Sequence, residues 1–308
     1  MKKALSFLLV TVFLLCCTAC GRKASNEMQS EATATTDAAV TKPEEEFAAI
    51  SDWDLTNEQS ELIADGILYR YLLFRDKNND AHIAHVLQID PQKATLHKGT
   101  ANNELSLLPS DRQTVLGHMK ASVADGLPVI AAVNGDFFAI SSTYIPSGLA
   151  IKSGVLLQEN KSYRPFCGIT KDGEYIVSNG RTDKVDISSL EMATGGSHVL
   201  VRDGALQNIE QTSDLSTISH PRTLSGVRAD KTLLLVVIDG RQPELSNGAT
   251  LTQCAQLMYS LGAVQAINHD GGGSSTMILR RGNAYDVVNS PSDGDLRKVF
   301  CSIQVILK

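Results

Sequence analysis

Short apolar runs separated by polar turns fill most of the chain, and two of the runs are wholly apolar: Leu233–Ile238 and Val129–Val133. Uninterrupted hydrophobicity predicts strands buried on both faces. A third strand is predicted over Val264–Asn268, with a helix over Thr252–Leu261 before it. Strand, helix and strand should form a parallel, right-handed unit. His82–Asp90 alternates instead, with Ile83, His85, Leu87 and Ile89 on one face and Ala84, Val86 and Gln88 on the other. Lys93–Lys98 is expected to pair with it through a turn at Pro91-Gln92. Leu68–Phe74 is a further strand. Phe166–Thr170 and Glu174–Ser178 flank Lys171-Asp172-Gly173 as a hairpin, and Thr276–Arg280, Tyr285–Val288 and Val299–Ile306 return the C-terminal part to strand. Thr56-Asn57-Glu58-Gln59 fits a capping box before a helix over Ser60–Ala64. Ser110–Ala124 reads as a helix closed by Gly126 and Pro128. The expected fold class is α/β of mixed α+β type. It is one domain, residues 52–308, whose mixed, partly antiparallel sheet includes the βαβ unit.

The chemistry-bearing residues collect at strand ends. Val129–Val133 runs into Asn134-Gly135-Asp136-Phe137-Phe138, and Leu233–Ile238 into Asp239-Gly240-Arg241. Val264–Asn268 runs into His269-Asp270-Gly271-Gly272-Gly273-Ser274-Ser275-Thr276. In open α/β sheets, ligands sit beyond the carboxyl ends of the strands. Three such ends carrying acid, amide and arginine groups therefore predict one site. The strand–helix–strand geometry puts Asp239 and Asp270 on the same sheet edge. The glycine run lacks the lysine and spacing of a P-loop. Gly272-Gly273-Ser274-Ser275-Thr276 also lacks the second glycine of a serine-hydrolase elbow.

Composition narrows the function classes. The 308 residues are 43% hydrophobic and 20% charged, with a net charge of -6. That acidic balance argues against nucleic acid as a partner. Lys2 and Lys3 precede an apolar stretch from Leu5 to Leu15, the pattern of an export signal over residues 1–20. The stretch is too short for a spanning helix. It ends in Cys17-Thr18-Ala19-Cys20, similar to a lipobox with Cys20 as the lipidated residue. The protein is thus expected on the outer face of the cell membrane, or outside the cell after ordinary signal cleavage. Residues 21–50, rich in Ser, Thr, Ala and Glu, read as a disordered tether. Cys167, Cys254 and Cys301 lie in apolar contexts and are expected as buried free thiols, with one disulfide plus one thiol left open.

Taken together, these pieces resemble the phosphodiester glycosidase family. The resemblance spans roughly Ile83 to Val305. It rests on Asn134-Gly135-Asp136-Phe137-Phe138, Pro146-Ser147-Gly148, His220-Pro221-Arg222-Thr223 with Gly226, and Asp239-Gly240-Arg241. It continues through Asn268 to Met277, Asn289-Ser290-Pro291 and Arg297. It implies hydrolysis of a sugar–phosphate diester at the anomeric carbon, giving a free sugar and a phosphate monoester. The diester is taken as N-acetylglucosamine-1-phosphodiester-like. Export suggests cell-envelope glycans as substrates. The alternative is a non-catalytic surface lectin for sugar-phosphates.

Residue chemistry assigns provisional roles within that site. Arg222, Arg241 and Arg297 suit bidentate phosphate recognition. Gly271, Gly272 and Gly273 are expected to present backbone N–H groups to phosphate oxygens, and Ser274, Ser275 and Thr276 to donate to phosphate or sugar. Asn134, Asp136 and Asn268 are candidates for substrate binding. Asp270 is the first choice for the catalytic carboxylate and Asp239 the second, because a carboxylate can act as nucleophile, base or stabiliser. His220 could move a proton near neutral pH, whereas His269 reads as structural. No cofactor is required; Asp136, Asp239 and Asp270 together could hold calcium or magnesium.

Overall fold

The computed structural model describes Phe47, Ile50 and residues 52–108, 112–138 and 145–308. The expected leader, the lipidation at Cys20 and most of the expected tether lie outside the described residues. In chain order the elements begin with β1 (Trp53–Ala64), β2 (Ile67–Asp76), β3 (Ala81–Ile89), β4 (Ala94–Thr100), α1 (Val115–Ala124) and β5 (Val129–Asn134). Next come β6 (Ala150–Lys152), β7 (Val155–Gln158), β8 (Phe166–Thr170), β9 (Tyr175–Ser178), β10 (Leu190–Gly195), β11 (His198–Arg202) and β12 (Ala205–Leu206). The rest are α2 (Asp214–Thr217), β13 (Arg222–Arg228), β14 (Leu233–Ile238), α3 (Leu251–Ser260), β15 (Ala263–Asn268), β16 (Met277–Arg281), β17 (Ala284–Val287) and β18 (Cys301–Leu307).

Two sheets face each other. One has the order β1-β2-β3-β14-β13-β15-β11-β12 and the other β17-β16-β5-β18-β4. The shared core interleaves Leu87, Leu235 and Val237 from the first with Ala131, Val133 and Ile303 from the second. On the far side of the first sheet, Val86, Leu234 and Val236 pack against Leu251, Cys254 and Met258 of α3. On the far side of the second, Ala132 and Ile278 pack against Val115 and Met119 of α1. Both faces of β14 and β5 are therefore buried, which is why their sequences run apolar without interruption. A smaller sheet, β7-β6-β10-β8-β9, completes the fold.

Four expectations change. First, Thr56–Ala64 is strand β1, because pairing with β2 overrides the local capping pattern: Thr56 Oγ1 donates to Leu73 O, and Glu58 and Glu61 pair with Arg70 and Arg281. Second, β4 leaves β3 and pairs with β18 in the opposite sheet. Third, every described strand pairing is antiparallel. β14 and β15 do run in the same direction, but β13 lies between them, antiparallel to both. Their C-terminal ends still emerge at one edge, together with the start of β13. Fourth, Phe47 and Ile50, which composition assigns to the tether, are buried in the α3-side core, where Phe47 meets Phe74 edge to face at 5.1 Å. Cys167, Cys254 and Cys301 are buried free thiols.

One feature beneath α1 makes the fold acid-sensitive. Both ring nitrogens of His118 and Nε2 of His97 are buried without a hydrogen-bond partner among the described residues. Burial, helped by the charges of Lys152 and Lys98, pushes His118 down to about 3 and His97 to about 4, against an ordinary 6.5. The unfolded chain then takes up protons before the folded one. The stability these neutral rings contribute is complete above pH 6.5 and is lost as pH falls through 4 towards 3. The thermal midpoint should fall across that window, and His118→Leu should flatten the fall.

Candidate active site

The edge where β13, β14 and β15 meet carries a pocket of 260 Å³. It is lined by Phe137, Leu215, His220, Pro221, Arg222, Arg241, Asp270, Gly271, Gly272 and Arg297. Asp270 is the one acidic side chain among these lining residues, and three are arginines. Asp270 follows β15 and is fixed by its backbone. Its N–H donates to Gly135 O at 3.0 Å, and its carbonyl accepts from Asn134 Nδ2 at 2.7 Å. Burial pushes its carboxyl up to about 6. The Ser274 side chain, the Gly271 N–H and the charges of Arg297 and Arg164 oppose that rise. Near pH 7 the group is mostly anionic but close to titration, a poise suited to proton transfer.

The three arginines are not equivalent. Arg222, 1% exposed, gives Nε to Ala249 O and Nη2 to Leu215 O and Ile218 O. Much of its hydrogen-bonding capacity therefore goes into bracing the wall around α2. Arg297 grips Asp293 through Nε and Nη2 and reaches Ser274 Oγ with Nη1 at 3.4 Å. Arg241 is exposed and sits at a left-handed φ of 59°, uncommon for a non-glycine residue. Its Nη2 meets His220 Nδ1 at 3.3 Å. That contact makes Nδ1 the acceptor and leaves the proton on Nε2. Burial and the charges of Arg222 and Arg241 hold His220 below its ordinary value, so it is neutral at pH 7.

The glycine loop commits the amides of Gly271 and Gly272 to the protein, and Gly272 and Gly273 also act through the space they leave. Gly271 N–H is taken by the Asp270 carboxylate, Gly272 N–H by Pro221 O, and the amides of Ser274 and Ser275 by carbonyls of the loop itself. Two of the three amides expected to meet phosphate, those of Gly271 and Gly272, are thus already engaged. Gly272, at φ +61°, clears room for the Arg241 guanidinium, which a Cβ would approach to 3.0 Å. A Cβ at Gly273 would collide with Arg297 and Asp293.

Asp239, the second choice for the catalytic carboxylate, and several expected substrate groups stand behind the pocket wall instead. Asp239 is buried with its carboxylate enclosed by His85 Nε2, Asn289 Nδ2 and the Ser290 N–H, at 3.1, 3.0 and 2.8 Å. Asp136 forms a fully buried ion pair with Lys98 at 2.6 Å and accepts from Thr194 Oγ1 and the Gly195 N–H. Asn134 ties Asp270 O to Thr223 Oγ1 and the Thr276 N–H. Asn268 donates to Ser197 Oγ and His269 O. Ser274, Ser275 and Thr276 are buried, Ser275 Oγ accepting from Thr223. His269 is buried between Ser225 Oγ and Gly195 O. Asp136, Asp239 and Asp270 thus serve separate partners, and no group of three or more His, Cys, Asp or Glu side chains is gathered for a metal among the described residues. The sequence motifs miss Leu215 and Arg164, which carry no pattern of their own. Lys98 was legible: a lysine at an inward strand position between Leu96 and Thr100 requires a buried anion.

A family model for phosphodiester glycosidases matches residues 128–306. The chain belongs to the phosphodiester glycosidase family. The match includes every pocket-lining residue named above. A Bacillus subtilis (strain 168) relative, the SPbeta prophage-derived uncharacterized protein YomE, is 29% identical over 205 residues, covering 64% of this chain and 30% of that protein. The chain thus spans about a third of the length of the curated relative it matches. Among solved structures, the catalytic domain of zebrafish N-acetylglucosamine-1-phosphodiester alpha-N-acetylglucosaminidase, auto-inhibited by its pro-peptide, superposes with a TM-score of 0.57 at 18% identity, covering 82% of this chain and 88% of that one. A hypothetical protein from Synechocystis superposes with a TM-score of 0.62 at 13% identity, covering 83% and 64%. At these identities the likeness is one of fold.

Proposed function

We propose that the chain hydrolyses a sugar 1-phosphodiester at the anomeric carbon, releasing free sugar and a phosphate monoester. The observation that carries this reading is a single carboxylate, Asp270, facing Arg222, Arg241 and Arg297 in a pocket with room for about one sugar ring. Arg241 has a guanidinium available to the single negative charge of a diester. The Asp270 carboxylate stabilises the positive charge that develops at the anomeric carbon and accepts the proton of the attacking water. The anomeric C–O bond breaks, and the bridging oxygen departs with the phosphate. The phosphate monoester leaves as a weak base, so a paired carboxylic acid is not required.

Membership of the family and the likeness to the zebrafish glycosidase domain support an N-acetylglucosamine-1-phosphodiester-like substrate. The leader pattern and Cys20 support an exported, lipid-anchored protein acting on cell-envelope glycans. No helix among the described residues is long and apolar enough to cross a membrane. The reading is tested by incubating the protein with a panel of sugar 1-phosphodiesters, with and without chelator. Free sugar and monoester in equal amounts support it. Binding without release of either product supports the lectin alternative. Arg241→Ala should lower kcat/KM by roughly 100-fold, mostly through KM, because it removes a charge-assisted phosphate contact. A fall confined to kcat would reassign Arg241.

A further inference from the structure

Arg164, which none of the sequence motifs marks, does not itself line the pocket but stacks on a residue that does. Its guanidinium lies over the Phe137 ring, 4.8 Å from the centroid, and Phe137 lines the pocket beside Asp270. Its Nε donates to Gly196 O at 3.0 Å, while the Gly196 N–H donates to Pro165 O at 2.7 Å. On either side of Gly196, the Ser197 N–H donates to Asn268 O and Gly195 O meets His269 Nδ1. Arg164 is thereby coupled, through one residue, to the strand end that presents Asp270. The loop that carries it is clamped: Asn160 Oδ1 accepts from Arg164 N at 2.9 Å and Asn160 Nδ2 donates to Arg164 O at 2.8 Å. Gly180 leaves the space that the Arg164 carbonyl occupies.

We propose that Arg164 is the positioning cation of Asp270, mounted on Phe137 and anchored on Gly196 so that the carboxylate stays charged and in place as the diester binds. The proposal rests on the glycosidase reading of the pocket. Other groups also face Asp270: Gly271 and Ser274 from its own loop, Arg297 before β18, Arg222 and His220 around the start of β13, and Arg241 after β14. Asp136 stands further back on Lys98. Arg297 shares its charge with Asp293, and Arg222 is given to backbone carbonyls. For Arg164, by contrast, Asp270 is the carboxylate that most stabilises the charged guanidinium, ahead of Asp136. Arg164 in turn is, after Arg297, the second of the two cations that oppose the effect of burial on Asp270.

The test is a carbon-13 carboxylate NMR titration of Asp270 in the whole protein, with the signal assigned by its loss in Asp270→Asn. The Arg164→Ala midpoint should rise by roughly one pH unit, and the acid limb of kcat/KM should move with it. Arg164→Lys, which keeps the charge, should restore most of the shift. Phe137→Leu, which keeps the arginine but removes its support, should give a smaller rise. An unmoved midpoint in a folded Arg164→Ala protein overturns the proposal, even where kcat falls. So does a shift that lysine fails to reduce. A midpoint that moves as stated in a protein that hydrolyses no diester upholds the pairing and overturns the glycosidase reading alone.

Discussion

Asp270→Asn should lose roughly 1,000-fold or more of turnover while binding the diester about as tightly as before and unfolding at a higher temperature than the parent. The loss follows because, among the described residues that line the pocket, no second carboxylate can take over the charge or the proton. Binding persists because Arg241 and the pocket walls are untouched. The gain in stability comes from the cost of keeping this anion in the site. Burial raises the Asp270 carboxyl from 3.8 to about 6. A raised carboxyl favours the folded state below its unfolded value, and that contribution disappears as pH rises through the folded value. Above pH 6 the ionised Asp270 is therefore a liability, which a neutral amide of the same shape removes. The difference should be roughly 1–3 kcal/mol at pH 7 and vanish near pH 4. Thermal midpoints at the two pH values, read beside turnover and calorimetric binding, check all three parts. Undiminished turnover would remove Asp270 from the chemistry. Turnover and binding lost together would make it a binding group.

The second large effect concerns Asp136. Its carboxylate and the Lys98 ammonium are both wholly enclosed, and the lysine also donates to Ala193 O and Thr194 Oγ1. Asp136→Asn leaves that ammonium buried beside a neutral amide, and removing one member of such a pair costs on the order of 3–5 kcal/mol. Adding Lys98→Met to the same protein removes the orphaned charge and should recover most of the loss. The amide oxygen can still accept from the Gly195 N–H, so the local hydrogen bond survives. Urea unfolding of the parent and both variants gives the comparison. If Asp136→Asn unfolds like the parent yet loses affinity for diester, the residue belongs to substrate binding after all.

The strands with uninterrupted or alternating apolar residues were legible in the sequence because burial on one or both faces leaves a local signature. Partner choice was not. That β4 crosses to β18, or that β13 inserts between β14 and β15, depends on contacts between residues far apart in the chain, and no local pattern encodes them. Thr56–Ala64 shows the reverse failure, since a capping pattern that would start a helix is overruled by pairing with β2. At the candidate site, five of the residues singled out in the sequence, Asp270, His220, Arg222, Arg241 and Arg297, line one pocket. The sequence did not distinguish a side chain that faces the pocket from one that holds the wall. Asp239, Asp136 and Asn134 have the chemistry of ligand-binding groups but are surrounded by protein donors and acceptors, and the Asn268 amide nitrogen is likewise given to Ser197 and His269. Residue type reports what a side chain can do, whereas its partners are set by tertiary packing. Arg164 went unseen for the same reason.

Hydrolysis of N-acetylglucosamine 1-phosphodiester in oxygen-18-labelled water, with both products weighed by mass spectrometry, identifies the bond that breaks. Attack at the anomeric carbon predicts the label in the free sugar and none in the phosphate monoester. Label in the phosphate would mean that the P–O bond breaks instead, and would contradict the account at its core.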